Sequence, residues 1–176
     1  SHEIPAYQKF YGTEPERFHV LPPGIARVGV QALACGDTLK RGLQRERIRR
    51  EHGWSENENL LLFVGSGFRT KGLDRAIHAL AALENSLREK TRLVVIGQNP
   101  VREFGLLARR LGVGDRVQFL GGRHDVPDFL LAADLLIHPA YSENTGSVLL
   151  EAAASGLPVL ATASCGFAFH ITDAKA

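Results

Sequence analysis

Five short apolar runs, spaced by segments with helical periodicity, constrain this chain more than any other feature. Residues 60–64, 93–96, 117–120, 135–137 and 158–161 are nearly continuous in Leu, Val, Ile and Phe, and the first three stop at Gly65, Gly97 and Gly121. Between them, residues 73–83, 101–111, 126–133 and 146–154 carry apolar side chains at helical spacing, and Gly112 and Gly156 follow two of these segments as stops. Strands that alternate with helices predict an α/β fold with a parallel sheet. Runs without a polar alternation fit strands covered by helices on both faces.

Other parts of the chain are less regular. Pro5, Pro15, Pro22 and Pro23 break up residues 1–23, with a short strand expected at Val20-Leu21 and a turn at Pro22-Pro23-Gly24. Residues 26–38 read as loop. Residues 40–52 read as a basic helix, KRGLQRERIRREH, with a solvated face and with Leu43, Arg47 and Ile48 partly packed. A minority reading of the same helix is attraction to an anionic membrane surface.

Composition sets outer limits. The 176 residues suffice for one domain with a buried core, and 44% hydrophobic with 23% charged residues is ordinary for a globular protein. A net charge of +2 argues neither for nor against nucleic acid. No apolar run approaches the roughly 20 residues that cross a bilayer. Cys35 and Cys165 offer neither a disulfide framework nor metal-ligand spacing, which fits a reducing cytoplasm. The sequence holds no Met, and Ser1-His2 resembles the remnant of a cleaved tag, so a fragment of a longer protein is expected.

In open parallel sheets, ligands bind beyond the carboxyl ends of the strands. That directs attention to residues 66–71, 98–100, 123–125, 138–147 and 162–166. The first loop, Gly65-Ser66-Gly67-Phe68-Arg69-Thr70-Lys71-Gly72, combines glycines that let a backbone approach a ligand with two cations at the edge. Arg69 can grip phosphate bidentately and Lys71 is a compact charge, so a diphosphate is the natural counter-ion. The loop is neither a P-loop nor the spaced glycine motif of dinucleotide binders; alone, it also fits a plain turn with two solvated charges. The fourth loop leads from Glu143 through Thr145, Gly146 and Ser147 into a helix carrying Glu151. Free N–H groups at that helix start can meet an anion or a hydroxyl. Two carboxylates suit vicinal hydroxyls, although on spacing alone they also fit two unremarkable glutamates.

Taken together, these segments resemble a known family. Glu143-x7-Glu151 follows a strand ending in His138-Pro139 and precedes the turn Ala154-Ser155-Gly156-Leu157-Pro158-Val159; Gly65-Ser66 and Lys71-Gly72-Leu73-Asp74 form a second match, and Leu21-Pro22-Pro23-Gly24-Ile25 a third. The pattern resembles the retaining glycosyltransferases of family 4, and segments 11–25, 64–77 and 132–166 are nearest to members that glucosylate the lipopolysaccharide core. The resemblance covers nearly the whole chain.

It implies the C-terminal, Rossmann-like half of a GT-B fold. Residues 1–24 would form an interdomain lead-in and residues 25–176 a donor-binding domain, with the acceptor-binding domain absent. It further implies transfer of a hexose, glucose above all, from a UDP-sugar to a lipopolysaccharide core sugar, with retention and without a metal. Lys71 would hold the diphosphate with Arg69 beside it. Glu151 would hold the ribose and Glu143 the hexose. Gly65, Ser66 and the N–H groups of Thr145, Gly146 and Ser147 would meet phosphate or hexose, and Arg123 would border the uracil. The chain departs from the family's usual loop in having Ser66 directly after the strand glycine and Arg-Thr-Lys where Arg-Lys is common. The implied partners are the UDP-sugar, the lipopolysaccharide core and, peripherally, the inner membrane; no nucleic acid is expected.

A glycoside hydrolase also uses two carboxylates, but it would leave the phosphate loop without a task. A noncatalytic nucleotide-binding or interaction module of the same fold is the alternative. Other residues have plainer readings: His138 as a structural histidine closing a strand, His124 in an exposed loop, Cys165 as a small buried residue, His170 without a clear partner, and Asp134 at a strand start.

Overall fold

The structure, a computed structural model, describes residues 4–12, 14–18 and 38–168. The expected strand at 20–21, the turn at 22–24, most of the loop 26–38, Cys35 and His170 lie outside the described residues.

Five parallel strands form one sheet in the order β3-β2-β1-β4-β5. They are β1 (Asn59–Val64), β2 (Thr91–Ile96), β3 (Val117–Phe119), β4 (Leu135–His138) and β5 (Val159–Ala161). Each coincides with one of the apolar runs to within two residues. Leu61 of β1 lies opposite Leu93 of β2 and Leu135 of β4, which fixes the register at the centre. The helices are α1 (Ile4–Tyr11), α2 (Thr38–Glu51), α3 (Leu73–Ala81), α4 (Asn85–Arg88), α5 (Arg102–Arg110), α6 (Val126–Ala132) and α7 (Ser147–Ala154).

Side chains alternate across a strand, and here both sets are buried. Leu60, Leu62, Val94, Ile96 and Leu136 join Ile48 of α2, Phe129 and Leu130 of α6 and Ala152 of α7 on one face. Phe63, Leu93, Val95 and Ile137 join Leu73, Ile77 and Leu80 of α3 and Phe104 and Ala108 of α5 on the other. That two-sided burial is why the strands read as unbroken apolar runs. Gly112 and Gly156, the expected helix stops, have positive φ of 72° and 69°, the left-handed conformation that ends a helix most cheaply in glycine.

Two expectations are corrected. The prolines of residues 1–23 predict broken structure, yet α1 spans Ile4–Tyr11 and Pro15–Arg17 make a 3-10 turn. Pro5 lies in the first turn of α1, where the N–H it lacks would have no intrahelical partner anyway. The basic helix is also packed differently from its expected solvated pattern. Leu43 is 57% exposed, whereas Arg49 is fully buried. Arg49 donates to the carbonyls of Ala132 (3.0 Å), Ser55 (2.9 Å) and Glu58 (3.0 Å). Arg45 donates to those of Ala132 and Ala133 (2.8 and 3.0 Å), and Arg41 to that of Ser155. These arginines cap the carboxyl ends of α6 and α7, where orphan carbonyls and the helix dipole favour cations. Arg45 and Arg49 also converge on Asp134, so the plain reading of Asp134 becomes a structural anchor.

Candidate functional site

The strand order reverses between β1 and β4, and the loops that follow these two strands diverge from adjacent carboxyl ends. A crevice at such a reversal is where open α/β sheets bind ligands. Lys71 lies in the loop after β1, and Glu143 in the loop after β4.

The loop after β1 is held in shape from below. Phe68 is buried against Phe63 and Phe104, with ring centroids 6.0 and 5.7 Å away. Its backbone carbonyl accepts the Leu73 N–H at 2.9 Å, the Gly67 carbonyl accepts the Lys71 N–H at 2.9 Å, and the Asn99 side chain accepts the Gly67 N–H at 2.6 Å. Gly72 closes the loop at φ 74°, and its Cα faces the Pro139 carbonyl so closely that a Cβ would collide with it. The Tyr141 N–H donates to the Thr70 carbonyl at 2.8 Å. These contacts join the two loops across the strand reversal.

The loop after β4 is braced from its other side. Glu143 and Cys165 form an isolated parallel bridge. Gly166 donates its N–H to the Glu143 carbonyl (2.9 Å) and Phe167 to that of Thr145 (3.0 Å). The hydroxyls of Thr162 and Ser164 both donate to the Ala140 carbonyl, at 2.7 and 2.8 Å. Cys165 is buried, with its thiol pushed up chiefly by burial, so its plain reading holds.

Within this frame Lys71 and Glu143 form an ion pair. The Lys71 stem lies over Gly65, where a Cβ would displace it. The Glu143 side chain keeps 11% of its surface exposed. Burial works to raise its pKa, but the Lys71 hydrogen bond and charge, with the Thr145 N–H, hold it below the usual carboxylate range. His138 is fully buried beneath, with Nε2 3.4 Å from the same Glu143 oxygen. Burial and the Lys71 charge outweigh the opposing pull of Glu143 and lower the His138 pKa, which favours the neutral imidazole.

Gly146 caps the start of helix α7, and its φ of 78° turns the chain into the helix. Glu151 stands one turn beyond Ser147, on the same helix face. Its carboxyl has no side-chain partner among the described residues, and burial pushes its pKa up. Arg123 pairs with Asp125 at 2.7 and 2.6 Å and lies 4.9 Å over the Phe129 ring. It therefore sits at the edge of the β3 end, in a loop that is exposed.

Arg69 does not join Lys71. Buried Phe68 turns the chain so that the next side chain points outward; Arg69 is 81% exposed and pairs with Glu103 at the start of α5. Sequence reasoning gave His138 no part in the site and did not single out Asn99 or Tyr141. A signal existed for His138: it is the polar terminus of an otherwise apolar strand, directly before the loop with the acidic residue. Among the described residues no cluster of His, Cys, Asp and Glu is arranged to hold a metal ion.

The chain is 51% identical over 173 residues to the lipopolysaccharide glucosyltransferase WaaG of Escherichia coli (strain K12), covering 98% of this chain and 45% of that protein. It is 34% identical to a D-inositol 3-phosphate glycosyltransferase of Xylanimonas cellulosilytica, over 94% of this chain and 39% of that one. It thus spans less than half the length of these relatives. The crystal structure of WaaG, described as involved in lipopolysaccharide biosynthesis, superposes with a TM-score of 0.87 at 50% identity, over 98% of this chain and 45% of that chain. A structure of Anabaena Alr3699/HepE in complex with UDP and glucose superposes with a TM-score of 0.64 at 28% identity, over 70% of this chain and 34% of that chain. Residues 44–176 match the family described as glycosyl transferases group 1, and the chain belongs to that family.

Proposed function

We propose that this chain is the donor-binding half of a retaining glycosyltransferase that moves glucose from UDP-glucose to a sugar of the lipopolysaccharide core. One observation carries the reading: Lys71 and Glu143, a cation and an anion, are paired at the strand reversal with the start of α7 beside them. The neighbouring HepE complex with UDP and glucose and the 51% identical lipopolysaccharide glucosyltransferase supply the substrate class. The acceptor is gripped by the part of the protein beyond this chain. Residues 25–176 correspond to the donor domain and 1–24 to its interdomain lead-in.

A UDP-sugar brings two phosphates, so it competes with Glu143 for Lys71. On donor binding the ion pair opens, Lys71 turns to the diphosphate, and Glu143 is released to accept hydroxyls of the hexose. Glu151 accepts the ribose hydroxyls. The backbone of Gly65 and Ser66 and the N–H groups of Thr145, Gly146 and Ser147 approach phosphate and hexose, and Arg123 borders the uracil. Arg69 leaves Glu103 for the diphosphate; an exposed pair of this kind contributes only about 0–1 kcal/mol, so the move costs little. As the glycosidic bond breaks, charge grows on the β-phosphate. Preorganised donors at that point, Lys71 and the α7 N–H groups, stabilise it without a metal being called on.

Peripheral contact with the cytoplasmic face of the inner membrane, if the protein makes it, does not run through Arg41, Arg45 and Arg49 of α2, because carbonyls occupy them. No described helix is long and apolar enough to cross a membrane.

The test is glucosyl transfer by the full-length protein carrying Lys71→Ala or Glu143→Ala. Each is expected to lower kcat/KM by about 100-fold or more. Undiminished turnover in both would favour a noncatalytic nucleotide-binding module.

A further inference from the structure

We propose that His138 is a positioning residue for Glu143, whose Nε2 takes over as hydrogen-bond donor to the Glu143 carboxylate when Lys71 leaves it for the donor diphosphate. The inference rests on the proposed donor site and assigns it a residue that its binding groups do not include.

The starting point is an imbalance. His138 ends β4 with no exposed surface, and neither ring nitrogen has a hydrogen-bond partner among the described residues. A buried polar group left unpaired costs about 1–3 kcal/mol, so two on one ring call for a state in which at least one is used. Nε2 lies 3.4 Å from the Glu143 oxygen that Lys71 now holds, an electrostatic contact short of a hydrogen bond. The ring stacks on Phe63 at 6.4 Å between centroids and 23° between planes, which limits its rotation. Lys71 and Glu143 are the charged groups facing the ring, and the Cys165 thiol points at the His138 backbone carbonyl at 4.0 Å.

A neutral imidazole has one N–H and one acceptor nitrogen. With the proton on Nε2 it can donate to the Glu143 oxygen 3.4 Å away. While Lys71 occupies that oxygen, the donor is in reserve. Once Lys71 turns to the diphosphate, the carboxylate would lose its strongest partner inside a partly dry site. A small approach of His138 restores one hydrogen bond and keeps Glu143 aimed at the hexose. The exchange lets the same carboxylate pair with Lys71 before the donor arrives and later bind sugar without being left unpaired.

The experiment uses full-length protein with His138→Phe and His138→Gln, read by UDP-glucose kinetics and by UDP as a product inhibitor. Phe keeps the flat ring on Phe63 and removes the donor; Gln places an amide N–H near the position of Nε2. His138→Phe is expected to lower kcat/KM for UDP-glucose about tenfold and to weaken UDP distinctly less, because UDP also draws Lys71 away but brings no hexose, so water can reach Glu143 in place of His138. His138→Gln is expected to recover most of the loss. An unchanged kcat/KM in His138→Phe overturns the proposal, as does equal weakening of UDP and UDP-glucose, or a Gln variant no better than Phe. Should the Phe protein not fold, His138→Asn, whose amide mimics Nδ1 instead, serves as the deficient partner to Gln. Glu143→Gln is measured alongside. If it is impaired and His138→Phe is not, only the role of His138 falls; if it too is silent, the donor-site reading falls with it.

Discussion

Arg49 and Asp134, 85 residues apart, meet at 2.8 Å at the end of the sheet opposite the candidate site, and the Arg49 side chain there has no exposed surface. Asp134 also accepts the Leu60 N–H at 2.7 Å and pairs with Arg45. This knot ties α2 to the start of β1, the start of β4 and the end of α6. Arg49→Ala removes donors from the carbonyls of Ala132, Ser55, Glu56 and Glu58 and one of the two arginines that pair with Asp134, so a loss of about 3–5 kcal/mol is expected. Urea unfolding, with an unchanged m-value, checks it.

The same knot sets an acid limit. Burial works to raise the Asp134 pKa, but the Leu60 N–H and both arginines hold it below its ordinary value. A carboxyl depressed in the folded state contributes stability that is fully present above its unfolded pKa and is lost as pH falls through the folded one. Thermal unfolding temperature should therefore drop as pH falls below about 4. Asp134→Asn should flatten part of that dependence.

Gly72 has a left-handed φ and faces the Pro139 carbonyl. Gly72→Val has no room there and is expected to cost about 2 kcal/mol or more. Because Lys71 is its neighbour, UDP affinity should fall with stability. NMR titration of UDP, beside a melting curve, reads both.

Glu151 offers a test that identifies its ligand. If it holds the ribose, removing the 2′-hydroxyl from UDP should weaken binding about tenfold in the native protein and hardly at all in Glu151→Ala. Its pKa is raised by burial, so the charged form is disfavoured in the folded state and that penalty is relieved as pH falls through the folded pKa. Glu151→Gln should stabilise the free protein at neutral pH while weakening UDP, which calorimetry can measure together.

Helix α2 should not anchor the protein to lipid. Arg50 is its outward-facing arginine in the last turn. Charge reversal by Arg50→Glu is expected to leave co-sedimentation with anionic vesicles unchanged; a loss that mirrors high salt would assign lipid contact to α2.

What the sequence determined by itself is what short-range physics writes into it. Apolar runs and helical periods are local, so all five strands and the longer helices between them could be placed, though not α1 or the four-residue α4, and glycines such as Gly112 and Gly156 mark helix ends. The two site loops follow directly, because ligands gather at the carboxyl ends of parallel strands. The tertiary structure alone decided which side chains meet. Lys71 and Glu143 are 72 residues apart, and only the adjacency of β1 and β4 joins them. Arg69, two residues from Lys71, faces Glu103 instead because Phe68 is pulled into the core. Arg49 looks like any solvated arginine until the folded chain brings carbonyls from α6 and the β1 approach around it. His138 looks like a strand end until Glu143 lies over it. Charge and hydrogen bonding act over a few ångströms in space, and the chain's numbering carries no record of which distant groups will share that distance.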